Sequence, residues 1–187
     1  MKKLFFIPAF AALLFLASCG GGNTTKETDV TTTPEPTDTS AAAVADVPGS
    51  DIPGINDVAI TTNIQLEGQD NMTYSKTLFK IKAGQSVKLT FKNAGKLPKD
   101  AMGHNVVILK EGTDVEAFAA EALKEKSNNY IPQSAEMKNN IIAHTKVLGP
   151  GESEDITFTI PDPGVYTFIC TFPGHHTTMH GQIVVVQ

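Results

Sequence analysis

The chain has no tryptophan, two cysteines in 187 residues and no cluster of basic residues. With a net charge of −5 and no basic stripe, it lacks the electrostatic footprint of a nucleic-acid-binding protein. The two cysteines, Cys19 and Cys170, lie in contexts too different for a disulfide to join them. No further cysteine or carboxylate accompanies Cys170 in its loop, so a closed structural zinc site is short of ligands. The longest apolar run, Leu4 to Leu16, is too short to span a bilayer comfortably. There is no Ser-His-acid grouping, no phosphate-cradling loop and no internal repeat, which removes the commoner enzymatic readings. What remains, at 41% hydrophobic and 19% charged, is enough for one ordinary domain plus extensions.

Lys2 and Lys3 ahead of that apolar run have the form of an export signal. It ends in Leu16-Ala17-Ser18-Cys19, which resembles a bacterial lipobox, so residues 1–19 are expected to be a lipoprotein signal with Cys19 as the acylated residue. Two or more acyl chains anchor stably because each buried CH2 contributes about 0.8 kcal/mol. Residues 20–57 are rich in Gly, Thr, Pro, Ala and acids and poor in aromatics, and cannot bury enough apolar area to offset their ordering entropy. They are expected to form a tether, averaging about 35 Å end to end as a coil. The protein is therefore expected to be exported and membrane-anchored, facing the periplasm or cell exterior.

From residue 58 to 187 the pattern becomes short β runs. Ile60, Ile64 and Leu66 share a phase; Val87, Leu89 and Phe91 alternate with Lys88, Thr90 and Lys92; Ile156, Phe158 and Ile160 alternate with polar neighbours. Further strands are expected at Thr77–Lys82, Asn105–Leu109, Ile141–Val147, Val165–Cys170 and Gln182–Val186, separated by Gly and Pro turns. Roughly eight strands make an all-β sandwich. The exception is Asp114 to Lys126, where Val115, Phe118, Ala119 and Ala122 mark a helical face and Thr113 with Glu116 suit a capping box.

The chemistry concentrates in Cys170-Thr171-Phe172-Pro173-Gly174-His175-His176-Thr177-Thr178-Met179, with Pro173-Gly174 placing a tight turn between thiol and imidazole. A lone cysteine at a strand end is more often an inert hydrophobe. Here His175 follows five residues on and Met179 four later, and that company favours copper of the blue type, which takes two imidazoles, a thiolate and a weak axial donor. The loop supplies one imidazole; the best candidate for the other is His104, at the start of a remote strand. His144, His176 and His180 are read as exposed polar residues without a site of their own.

Leu97-Pro98-Lys99, Met102-Gly103-His104-Asn105, Ala143-His144-Thr145-Lys146 and Cys170-Thr171-Phe172-Pro173-Gly174-His175 together resemble the azurins, small blue copper proteins of the cupredoxin family. The resemblance implies a Greek-key cupredoxin sandwich with one inserted helix, holding one copper per chain. It implies His104, Cys170 and His175 as strong ligands, with Met179 and the Gly103 carbonyl as axial contacts. Asn105 is then expected to bond across to the Cys170 loop, with Phe172 also beside the site. An apolar docking face of Met72, Met102, Phe172 and Pro173 is expected around the His175 edge.

The implied function is not enzymatic. It is electron transport between redox proteins such as cytochromes, with no small-molecule substrate; the alternative is a copper-buffering lipoprotein whose redox activity is incidental. A copper nitrite reductase needs a further copper with its histidines, and a binuclear centre a second loop cysteine; neither is present. The chain departs from the family in lacking its disulfide, in having Val106 where many members have tryptophan, and in having Asn93 in place of a histidine.

Overall fold

The computed structural model describes residues 47–187; the expected signal, its Cys19 and the expected tether up to residue 46 lie outside them. Among the described residues nine strands form two sheets. In chain order they are β1 (Asn63–Gln69), β2 (Thr73–Tyr74), β3 (Leu78–Lys82), β4 (Ser86–Asn93), β5 (Val107–Leu109), β6 (Ile141–His144), β7 (Ser153–Thr159), β8 (Gly164–Ile169) and β9 (His180–Val186). One sheet has the order β2-β1-β4-β7 and the other β3-β9-β8-β5-β6. β1 runs parallel to β4 and β3 parallel to β9, while the remaining pairs are antiparallel.

Period-2 alternation builds the core. Ile64 and Leu66 of β1 and Val87, Leu89 and Phe91 of β4 point inward, against Phe168 of β8 and Ile183 and Val185 of β9. Full burial of each such side chain stabilises by about 1.5–3 kcal/mol. Ile60, expected in phase with Ile64, stands outside β1 and is 47% exposed; it makes only an isolated bridge to Lys80.

β5 does not alternate. Val107, Ile108 and Leu109 are all buried, because both faces of the strand are covered. Ile108 faces the sandwich core, whereas Val107 and Leu109 join Ile169, Phe118 and Ile131 in a second apolar cluster outside the sheet. The helix that supplies Phe118, α2 (Val115–Ala122), lies within the expected range and buries the expected Phe118, Ala119 and Ala122. Its cap differs: the Asp114 carboxylate accepts from the Ala117 N–H at 3.0 Å, while Thr113 Oγ1 donates to the Lys110 carbonyl in the preceding turn. Asp114 is the better-placed acceptor because the helix starts at Val115.

Two further short helices, α1 (Lys99–Met102) and α3 (Ala135–Asn139), were not anticipated from periodicity, being too short to show a face. Nor does structure begin at residue 58. Residues 47–57, assigned by composition to the tether, contain turns and a 3-10 turn at Ile55–Asp57 with Ile55 buried. Gly49 lies so close to Ile52, Val165 and Val184 that a Cβ there would stand 2.9–3.2 Å from them. The segment thereby covers the outer face of β8 and β9, which explains why Val184 is buried although it points away from the core.

Candidate metal centre

The two remote segments meet because β5 and β8 are antiparallel neighbours, with Val107 opposite Ile169 and Ile108 opposite Phe168. His104 precedes β5 and Cys170 follows β8, so both fall at the same end of the sandwich. The β8–β9 connection is the ten-residue loop from Cys170 to Met179. It is pinned at its base by Cys170 N–H donating to the Met179 carbonyl at 3.0 Å. Within it, His175 N–H donates to the Phe172 carbonyl at 3.0 Å, closing a β-turn with Pro173 and Gly174 at its centre. Gly174 has φ +78°, the left-handed value that turn requires of its third residue. His104 is held separately, exchanging two backbone hydrogen bonds with Leu148 at 3.1 and 2.7 Å.

These constraints bring the donor atoms of His104, Cys170 and His175 within 4.8 Å of one another, all three residues buried. His104 Nδ1 and His175 Nδ1 face each other at 3.2 Å, and Cys170 Sγ lies 3.6 Å from His175 Nδ1. Nitrogen and sulfur donors about 2.0–2.3 Å from one centre would stand roughly this far apart. Burial pushes the His175 imidazole down to about 4, with a smaller contribution from the neighbouring His104, and burial also lowers His104. Both rings are thus neutral ligands at neutral pH. The Gln69 carbonyl opposes the shift of His104 without reaching hydrogen-bond geometry. His104 Nε2 is accordingly the one buried side-chain nitrogen or oxygen without a partner among the described residues.

Burial pushes the Cys170 thiol up to about 12, and the backbone of Asn105 and Phe172 reverses this only in part. A cation between the three donors would supply the opposite charge that a buried thiolate needs. Two neutral imidazoles and one soft sulfur, with no carboxylate among them, suit copper. Met179 is fully buried beside them.

Gly68, and the parts played by Asn93 and Thr145, escaped the sequence reading. Gly68 occupies the inward position of β1 after Ile64 and Leu66. A Cβ there would meet Met179 Cε at 2.9 Å and the His104 ring at 3.0 Å. A glycine in an inward phase is a signal of close approach that the alternation itself could have supplied. Gly103 has an ordinary φ of −73°, so space rather than backbone freedom requires it: a Cβ would stand 2.6 Å from Val147 Cγ1 and 2.7 Å from the Lys99 carbonyl. Asn93, fully buried, donates to the Leu148 carbonyl at 3.0 Å and to the Met102 carbonyl at 3.3 Å, holding the segment that carries His104. Thr145 Oγ1 accepts from the Val106 N–H at 3.0 Å.

Asn105 bonds to the Cys170 loop twice. Its Oδ1 accepts from the Thr171 N–H at 2.8 Å and its Nδ2 donates to Thr171 Oγ1 at 2.7 Å. Of the residues grouped as a docking face, Met72 and Pro173 are exposed and Met102 is half-buried. Phe172 is only 7% exposed, its ring packed against Tyr130 at 5.3 Å and His175 at 4.8 Å. His144 and His180 are exposed; His176 is half-buried and its Nε2 lies 3.1 Å from the Glu116 carboxylate on α2. None of these three joins the donor cluster.

Residues 60–186 match the model of the copper binding proteins, plastocyanin/azurin family. Azurin of Alcaligenes faecalis is 37% identical over 125 residues, covering 65% of this chain and 95% of that protein. Outer membrane protein H.8 of Neisseria gonorrhoeae is 35% identical over 129 residues, covering 65% and 66% respectively. Dithionite-reduced auracyanin from the photosynthetic bacterium Roseiflexus castenholzii superposes with a TM-score of 0.62 at 39% identity, over 69% of this chain and all of that one. With the cupredoxin sandwich, the converging His104, Cys170 and His175 and the adjacent Met179 in place, the chain belongs to the plastocyanin/azurin family of blue copper proteins, with a type 1 copper site at these residues.

Proposed function

We propose that the protein carries single electrons between redox proteins from a position tethered to a membrane. The observation that carries this reading is the closure of the site: His104, Cys170 and Met179 are 0% exposed and His175 only 3%. Such a site leaves no room for a substrate at the metal. When bound, copper supplies a one-electron Cu(II)/Cu(I) couple. The chain supplies rigidity, since His104 is fixed by Leu148, the Cys170 loop by Asn105, and Met179 by a 2.7 Å hydrogen bond from its N–H to the His175 carbonyl. Donors held this way move little between oxidation states. Met179 and the Gly103 carbonyl would join His104, Cys170 and His175 in holding the copper. Partners such as cytochromes dock where Met72, Met102 and Pro173 surround the edge of His175, with Phe172 beneath.

The carrier role is tested by electron self-exchange between oxidised and reduced copper protein, followed by NMR line broadening. We expect a rate constant on the order of 10⁵ M⁻¹s⁻¹ or faster, the range of ordinary protein encounters. Slow exchange together with readily removable copper would instead assign a buffering role.

The anchor rests on the lipobox-like residues ending at Cys19 and on a neisserial relative named for the outer membrane. Cys19→Ala should abolish incorporation of labelled palmitate and release the protein from the membrane fraction. Unchanged labelling would remove the anchor from this account without affecting the copper site.

A further inference from the structure

We propose that Gly68 is a positioning residue for the copper site: by leaving the inner face of β1 bare beside Met179, it lets the thioether keep its aim and so lowers the reduction potential. The inference rests on Met179 as one of the copper donors and not on the carrier role.

The phase of β1 calls for a large apolar side chain at residue 68, since Ile64 and Leu66 fill the preceding inward positions at 1% exposure each. Gly68 is buried like them, yet its φ lies outside the left-handed region, so the backbone does not require glycine. A glycine inside a strand gives up packing and chain entropy. What it supplies here is room. A Cβ would stand 2.9 Å from Met179 Cε and 3.0 and 3.1 Å from Cδ2 and Cγ of His104.

Of the groups at this contact, only one yields easily. The backbone of Gly68 is paired on both sides, with Asn93 of β4 and Tyr74 of β2, and its carbonyl accepts from the Ala94 N–H at 2.9 Å. β2 is itself tied down, because the buried Tyr74 hydroxyl donates to the Asn105 carbonyl at 2.6 Å. His104 is fixed by its two bonds to Leu148, and its ring has to give by no more than a few tenths of an ångström. Met179 is held through its main chain, by the N–H to the His175 carbonyl and the carbonyl to the Cys170 N–H. Its flexible thioether end is what moves when a Cβ is added. The methyl swings about the Cγ–Sδ bond, and the lone pairs turn with it because both belong to the same sulfur. A thioether turned off its aim donates less, and a weaker electron-pair donor favours the lower charge state, Cu(I). Gly68 therefore acts on the metal through Met179 while supplying no ligand itself.

The test is a redox titration, with electron paramagnetic resonance, of the copper-loaded full chain carrying Gly68→Ala, alone and combined with Met179→Leu. We expect the intense visible band to persist in Gly68→Ala, with the ratio of oxidised to reduced protein at a fixed solution potential lowered about threefold. At 59 mV per decade for one electron this is ~28 mV upward. In the Met179→Leu background neither the sulfur nor the Cε methyl is present, so the same alanine should leave the ratio unchanged. A lower melting temperature with the parent's potential and spectrum would make Gly68 merely structural and overturn the proposal. A shift of equal size in both backgrounds would overturn it too, by routing the effect through the His104 ring. If Gly68→Ala alone does not fold, the double variant has to fold, because the atom at 2.9 Å is gone; its failure would count against the proposal in the same way. Met179→Leu alone matching the parent in potential and spectrum would remove Met179 from the donors, and the proposal with it.

Discussion

Cys170→Ser should abolish the intense visible absorption of the copper-loaded protein altogether, and with it the narrow copper hyperfine splitting in electron paramagnetic resonance. Both signals depend on a thiolate ligand, and Cys170 is the one cysteine among the described residues. A serine hydroxyl does not ionise in a buried site, so the substitution removes the charge that complements the metal as well as the soft donor. The change in volume is small, and the hydroxyl oxygen is an acceptor of hydrogen bonds where Sγ stood. The variant should therefore fold, losing about 1–2 kcal/mol in the metal-free protein, but it loses the extra stability that tight copper binding confers by mass action. Addition of copper should raise its melting temperature far less than that of the parent. His144→Ala, at an exposed residue bonded through Nδ1 to the Thr145 carbonyl, should leave the spectrum unchanged. Persistence of the band in Cys170→Ser would remove that residue from the metal.

The parts of this site that the sequence makes visible are those whose chemistry is local. Pro173-Gly174 demands a turn, and the φ of Gly174 with the bond from His175 to Phe172 supplies it. Cys170, His175 and Met179 share that one loop, so their convergence needs no knowledge of tertiary structure. His104 was a candidate because it stands at the head of a strand, and the β5–β8 register brings it opposite the loop. The alternation in β4 likewise states which face is buried before any partner is known.

What stayed hidden depends on partners distant in sequence. Asn93 gives no local sign that its amide will hold the Leu148 and Met102 carbonyls, since an asparagine at a strand end ordinarily marks a turn. Thr145 and Tyr74 are inconspicuous for the same reason. The boundary expected at residue 58 also shifts, because residues 47–57 have a tether's composition and yet shield Val165 and Val184 on the outer sheet face. Ile55 alone, an isolated apolar residue among Gly, Pro and acids, was too little to show it. Phe172 illustrates the reverse: the resemblance puts it on the docking face, but the turn folds its ring inward onto His175 and Tyr130.

Asn105→Ala should be among the most destabilising single changes that leave every donor in place, lowering stability by about 3 kcal/mol and the melting temperature by ~10 °C. Asn105 is fully buried and makes three side-chain hydrogen bonds that join β5's entry, the Cys170 loop and the Asn129 turn. Truncation strands the buried Thr171 N–H and takes the donor from Thr171 Oγ1, whereas the Asn129 carbonyl, on an exposed residue, turns to solvent; each unpaired buried group costs about 1–3 kcal/mol. It also opens a small void between the His104 segment and the Cys170 loop. The substitution leaves His104, Cys170 and His175 in place, so the visible band should remain, but with the loop less firmly fixed the copper should be lost faster to a chelator. Thermal melts and chelator-release kinetics on the loaded protein check the two effects together. A melting temperature within about 2 °C of the parent, with unaltered release, would mean that Cys170 is held by the ladder bond to Met179 and the turn at Pro173-Gly174 alone. Asn105 would then be a passenger in its own network, and the rigidity invoked for electron transfer would have to come from the loop's backbone rather than from its tie to the His104 segment.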